Sequence, residues 1–528
     1  MTLAEEAAGS PDLARYLDEY RAATGKSPRL VDGLTGADDA DLDIVYGVGG
    51  PIYVHIHAGD EGLCYTVVEP TLDAEDIALL PRVKERIFHE AQYRPPPVGR
   101  DALERDVTDL FLHVTTPGRS PGKVPVGPER AERLLYHLIR DIARYGPLEA
   151  VMKDPYLEDI QQVGTEYVHV IHKFYDMLRT NIRFPDARVL DAYLRNLSER
   201  IGRPVSDARP IVDATLFDGS RINIVYSDDV SRKGPSFSIR RVQDEPITIT
   251  QLIQWRTLTP EIAAYLWLCL ENSMSVFVCG EAASGKSTTL NATLAFVNPR
   301  SKLYTAEDTP ELRPPHAVWQ RLITRETGPD DARVKMFDLL RAALRSRPNY
   351  IVVGEIRGAE GAVAFQAMQT GHPTMASFHA SNKVKMIQRL TSEPINIPLT
   401  FIDNLNVAVF QQALYKNGRL VRRVTSVDEI EGYSALDGGV VTRPVFTYDP
   451  AKDQHTFKGN NNSFILERKI AEQHGYEDPR QIYEELQQRA KVLAAMTARK
   501  IFHHEAVNRL LFAYADKGMA AFDRMVAA

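Results

Sequence analysis

The chain has 528 residues, 44% hydrophobic and 25% charged, an ordinary composition for a globular protein of three or four domains. Its 63 Lys and Arg against 70 Asp and Glu leave a net charge of −7, which argues against a surface built to displace counterions from nucleic acid. No apolar run approaches the roughly 20 residues of a membrane helix and no secretory signal opens the sequence. The three cysteines, Cys64, Cys269 and Cys279, are scattered as in a reducing cytoplasm without a zinc cluster.

Residues 1 to about 40 are polar, with a helical pattern near Leu13–Ala22. From Leu42 to Leu72 the pattern becomes strand-like: Ile52–His57 alternates, and Leu63–Val68 follows a Gly59–Gly62 turn. His55 and His57 share one strand face, which reads as strand surface rather than a metal site because no third ligand is in view. Leu79–Ala91 reads as a helix ended by Pro95–Pro97, and Thr115–Gly122 as a linker. A helix over Pro128–Arg144, short strands from Ile160 to Ile182, a helix over Ala187–Ile201 and a β segment over Pro210–Arg241 suggest a second α+β unit. Gln243–Pro246 reads as a hinge. From Leu252 to Glu431 strands alternate with helices, as a parallel sheet requires, and beyond Tyr433 come a hairpin region and helices. The expected segments are 1–115, 126–242, 250–432 and 433–528.

The most informative stretch is Gly280-Glu281-Ala282-Ala283-Ser284-Gly285-Lys286-Ser287. It follows the apolar run Val276–Cys279 and precedes a helical pattern beginning at Thr288, the strand–turn–helix context of a phosphate cradle. Glycines let successive backbone N–H groups converge on phosphate, and the helix N-terminus adds partial positive charge. Lys286 reaches the β and γ oxygens, and Ser287 supplies a hydroxyl to Mg²⁺. The expectation is a nucleoside triphosphate site. Tyr350–Val353 is a buried-strand run leading to Glu355, and ligand sites of parallel sheets lie at the carboxyl ends of strands. Glu355 can therefore hold a metal-bound water or polarise the attacking one. Leu303–Ala306 leads to Glu307 and Asp308 in the same way. His379 ends a third short strand after Gly371–Phe378; from spacing alone it is either a γ-phosphate contact or a structural histidine.

These motifs together resemble the ATPases of the type II/IV secretion superfamily, which drive secretion systems, type IV pili and archaella. The likeness comprises the cradle at Gly280–Ser287, an acidic box at Tyr304–Leu312, Val353-Gly354-Glu355-Ile356-Arg357, and a histidine box at Thr370–Ala380, and runs from roughly Val45 onward. The runs Asp154–Val163 and Arg422–Ile430, with no tetracysteine module, resemble the archaeal branch. The resemblance implies an α/β, RecA-like P-loop NTPase motor domain, an α+β, PAS-like N-terminal domain and a homo-hexameric ring. It further implies ATP and Mg²⁺ as cofactors, with Gly280 through Thr288 holding nucleotide and Ser287 and Glu355 holding metal. Glu307 takes the role of general base and Glu355 that of organising magnesium, the exchanged assignment remaining the alternative. His379 is implied as a γ-phosphate sensor. Arg221 and Arg240 are implied to reach the phosphates from the N-terminal domain, against the plainer reading of surface arginines.

The function so implied is a cytoplasmic mechanochemical ATPase. It would power filament assembly, protein secretion or archaellum rotation through a polytopic membrane platform protein, and meet the membrane only through such partners. The alternative is a RecA-like nucleic-acid translocase, which the acidic charge and the lack of an aromatic-basic stripe oppose; no nucleic acid is expected. A GTPase is disfavoured because Asn382-Lys383-Val384-Lys385 lacks the closing aspartate of a guanine-reading motif. Arg419, Arg422 and Arg423 read as a solvated basic face, with acidic platform loops or lipid headgroups as the sharper alternative.

Overall fold

Two large sheets organise the chain, one in each of two compact units, Met1–Val242 and Gln243–Ala528, of a computed structural model. The structure describes residues 3–31, 34, 42–59, 62–118, 120–242, 245–325, 333–416, 419–436, 438–519, 522 and 524. Gln243 and Asp244 of the expected hinge lie outside the described residues.

In the first unit the strands are β1 (Arg29–Leu30), β2 (Asp43–Gly49), β3 (Ile52–Gly59), β4 (Gly62–Val68), β5 (Thr115–Thr116), β6 (Val124–Pro125), β7 (Leu157–Val163), β8 (Tyr167–His172), β9 (Asp176–Arg183), β10 (Ile211–Thr215), β11 (Arg221–Val225) and β12 (Ser236–Arg240). Ten of them make one sheet in the order β1-β2-β3-β4-β9-β8-β7-β12-β11-β10, and β5 pairs with β6 alone. Alternation decides the faces. Ile222, Ile224, Phe237 and Ile239 point inward against the helix Ala187–Arg200, whose Leu190, Leu194 and Leu197 form the stripe that meets them. Arg221, Asn223 and Arg240 are left on the other side.

A separate core joins the helices Ala74–Ala91, Arg100–Val114 and Pro128–Ile142 through Val83, Phe111, Val124 and Leu138. The Thr115–Gly122 stretch, expected as a linker, therefore lies between helices that bury one common core. The surface reading of His55 is also corrected. The helix Pro11–Thr24 lies over that strand, so His55 is fully buried, with Nε2 2.6 Å from Asp43 Oδ1 and Nδ1 2.7 Å from the Tyr16 hydroxyl. Burial lowers its imidazole to about 4.

The second unit carries β13 (Val276–Gly280), β14 (Leu303–Glu307), β15 (Trp319–Ile323), β16 (Tyr350–Ile356), β17 (Thr374–Phe378), β18 (Val407–Lys416), β19 (Arg419–Ser434), β20 (Gly439–Asp449) and β21 (Gln454–Phe457). Their order is β15-β14-β16-β17-β13-β18-β19-β20-β21. The first six are parallel, and the rest continue as antiparallel hairpins. Strands buried on both faces need continuous apolar runs, which Val276–Cys279 and Tyr350–Val353 supply. The helix Pro260–Glu271 is buried along nearly its whole length, because the helix Ile482–Ala498 covers the side away from the sheet. The expected C-terminal segment thus shares its core with the nine-stranded sheet. Leu510 and Leu511 are buried and Tyr514 packs against Trp267, the stripe read from sequence. Among the described residues no helix is long and apolar enough to cross a membrane.

Candidate functional site

Parallel alignment brings the chemistry-bearing residues to one edge. Reading across the sheet, the carboxyl ends of β14, β16, β17 and β13 present Glu307, Glu355, His379 and the Gly280–Ser287 loop, and Gln411, midway along β18, pairs with Gly280 where the loop begins. This is the crevice where open α/β sheets bind ligands.

The loop leaves β13 at Gly280 and enters the helix Lys286–Thr293 through Gly285, at φ 87°. Ala283 is also left-handed, at φ 58°. Within the curl, Lys286 Nζ donates to Glu281 O at 2.8 Å, and so does the Ser284 hydroxyl. Burial lowers the Lys286 ammonium from its ordinary value, opposed chiefly by the Glu355 carboxylate. A lysine, loop amides and a helix N-terminus are groups that can bind an anion together.

A β-bulge aims Glu355. Between Val353↔Ala376 and Ile356↔Phe378 the β16–β17 ladder slips by one residue, and the Ser377 hydroxyl donates to the freed Gly354 carbonyl at 2.6 Å. Arg357 Nε donates to Glu355 Oε2 at 2.8 Å. Among the described residues Glu355 Oε1 is buried and makes no hydrogen bond, although His379 Nε2 approaches to 2.7 Å. An orphaned carboxylate oxygen beside a phosphate cradle fits a hard cation. No group of three or more His, Cys, Asp or Glu side chains is gathered as a metal cage among the described residues. Burial, then the Lys286 charge, lowers the His379 imidazole, with Glu355 opposing.

Glu307 is more tightly held. Only 1% exposed, it accepts the N–H groups of Glu311 and Leu312 on Oε1, both at 2.7 Å, and Arg321 Nε on Oε2 at 3.3 Å. Burial outweighs these partners and raises its carboxyl to about 7.

In the first unit Arg221 and Arg240 stand directly opposite each other on β11 and β12. Their nearest acids, Asp213 and Asp159, are 3.8 and 3.6 Å away. Arg422 and Arg423, expected as a solvated face, are otherwise engaged. Arg422 Nε donates to Ala283 O of the loop at 3.0 Å, and Arg423 is buried against Asp453 at 2.9 Å. The side chain of Arg419 lies outside the described residues. Gln411 and Arg321 escaped the sequence reading, since neither belongs to a spacing pattern.

The family model described as "Type II/IV secretion system protein" matches residues 141–500, more than half of the chain. The chain belongs to the type II/IV secretion system protein family. Its likeness to the uncharacterized protein MJ0900 of Methanocaldococcus jannaschii is 52% over 529 residues, spanning 97% of this chain and 96% of that protein. VirB11 of Agrobacterium fabrum is 27% identical over 214 residues, 36% of this chain and 62% of its own length. Among solved structures, the ATPase DotB of Legionella pneumophila aligns with 76% of this chain and 98% of its own at 17% identity, with a TM-score of 0.40. The family match contains every residue of this site from Gly280 to Gln411.

Proposed function

We propose that this chain is a cytoplasmic, hexameric ATPase that converts ATP hydrolysis into domain movement for a secretion or type IV filament machine, acting through a membrane platform protein. One observation carries the reading: the anion cradle, two carboxylates and a histidine stand at adjacent carboxyl ends of one parallel sheet. The loop amides from Gly280 to Thr288 and the Lys286 ammonium would bind and orient the phosphates. The Ser287 hydroxyl and Glu355 Oε1 would hold Mg²⁺, whose role is to neutralise the phosphates and polarise the γ-phosphoryl group. Glu307, with its raised proton affinity, would accept the proton of the attacking water, and His379 would contact the γ-phosphate.

Support for Arg221 and Arg240 as phosphate-facing cations comes from their placement. They stand opposite each other on the face away from the core, and Asp213 and Asp159, at 3.8 and 3.6 Å, hold them more loosely than a tight ion pair would. Secretion, pilus and archaellum machines are all compatible with this chemistry, because the difference between them lies in the platform.

The test is phosphate release by the purified full chain with ATP and magnesium. Lys286→Ala should abolish turnover and nucleotide binding, while Glu355→Gln should abolish turnover and weaken binding only when magnesium is present. Parent-rate turnover by either variant would refute the assignment, and DNA-stimulated turnover would transfer it to the translocase class.

A further inference from the structure

We infer that Gln411 is the positioning residue that holds the phosphate loop in its nucleotide-receiving shape, braced from the same hairpin by Arg422. This rests on the proposed nucleotide site and adds a device to it.

Gln411 is 1% exposed and spends both ends of its amide on the loop and its helix. Nε2 donates to Ser284 O at 2.6 Å, and Oε1 accepts the Thr289 hydroxyl at 2.7 Å. One side chain thereby ties the crown of the loop to the first turn of the helix it feeds. A fully buried residue with no polar task would be apolar, because an amide buried without partners is destabilising.

The peptide plane explains what this bond does. In a trans peptide the C=O and the following N–H point in opposite directions. Drawing Ser284 O outward to Gln411 turns the Gly285 N–H toward the inside of the curl. Arg422 does the same one residue earlier, by holding Ala283 O at 3.0 Å.

Two cradle glycines answer to the same neighbour. A Cβ on Gly280 would stand 2.3 Å from Gln411 O, and one on Gly285 would stand 2.8 Å from Gln411 Nε2. The loop's glycines therefore permit the close approach of β18 as well as the approach of phosphate. Register supports the placement, since Gly280 pairs with Gln411 across the parallel β13–β18 ladder. On the other side of β18 a bulge at Thr425 lies between Phe410↔Ser426 and Gln411↔Val424, three residues after Arg422.

The experiment measures binding of the non-hydrolysable probe AMP-PNP with magnesium to the full chain by calorimetry, alongside thermal melting without nucleotide. Gln411→Met keeps the volume and removes both hydrogen bonds. It should weaken binding roughly tenfold or more, the effect of one or two buried hydrogen bonds left unmade. Its nucleotide-free melting temperature should fall by no more than a few degrees, while Gln411→Asn, too short to span both partners, should not restore affinity.

Affinity of Gln411→Met within twofold of the parent overturns the inference. Should Gln411→Met melt early, Thr289→Val decides: it removes only the hydroxyl on Oε1, and a weakened affinity supports the positioning role while parent affinity refutes it. Lys286→Ala separates the levels. If the parent binds and Lys286→Ala binds equally well, the nucleotide reading itself falls and this inference with it. If Lys286→Ala loses binding and Gln411→Met does not, only the inference falls.

Discussion

Glu307 is held by two backbone amides, a guanidinium and burial, and these pull its proton in opposite directions. Burial wins, so the carboxyl retains its proton until about pH 7. A general base must be unprotonated to act, so turnover should rise as pH rises through about 7. A pH–rate profile checks this, and a rate unchanged between pH 5.5 and 8 on the order of parent activity would remove Glu307 from the base role. Stability should run the other way. The unfolded chain ionises this glutamate near 4.5 and the folded chain near 7, so the native state binds more protons between those values. Its contribution is complete below the unfolded value and is lost as pH rises through the folded one. Glu307→Gln should therefore flatten the fall in urea midpoint across that window.

At the scale of elements, the bulge in β16 and the helix pair behind the sheet matter most. The bulge lets a strand buried on both faces end with a carboxylate turned toward the loop, and Ser377 satisfies the carbonyl it frees. Behind the sheet, the helix Pro260–Glu271 is apolar all round because Ile482–Ala498 covers it. Arg489 sits at the polar end of that contact, 2.6 Å from Glu271 and over the Trp267 ring. Leu493 lies fully buried in the same core. Leu493→Ala should cost about 2–5 kcal/mol, read by urea unfolding of the full chain, because the cavity would open between packed helices. A loss below about 0.5 kcal/mol would mean that this helix is not part of the second unit's core.

At the scale of the whole molecule, the phosphate loop belongs to one compact unit and the Arg221–Arg240 pair to the other. The motor role proposed above would require hydrolysis to be felt by both units. Arg221→Ala should reduce turnover of the full chain by about 10³-fold or more while leaving nucleotide affinity at the loop within twofold, because a transition-state cation contributes little to ground-state binding. Parallel phosphate-release and calorimetric measurements would show this. Equal losses in affinity and rate would instead mark Arg221 as an ordinary binding residue.

Sequence by itself determined the glycine-bearing loop between β13 and its helix, the three strand ends and the parallel class of the second sheet. Each is a local pattern: glycines at fixed spacing, apolar runs of strand length, a polar residue where the run stops. His55 defeated local reading because a helix nearly forty residues earlier covers it, and alternation within a strand says nothing about what lies on top. Arg422 and Arg423 looked like one basic face, yet neighbours on a strand point to opposite sides, one to the loop and one to Asp453. Shared cores at Val124 and Leu493 likewise join stretches that the sequence reading kept apart. Gln411 shows the limit most clearly. Its sequence neighbours are unremarkable, and its task arises only when β18 docks beside β13, because hydrogen bonds between residues over a hundred positions apart exist only in the folded chain.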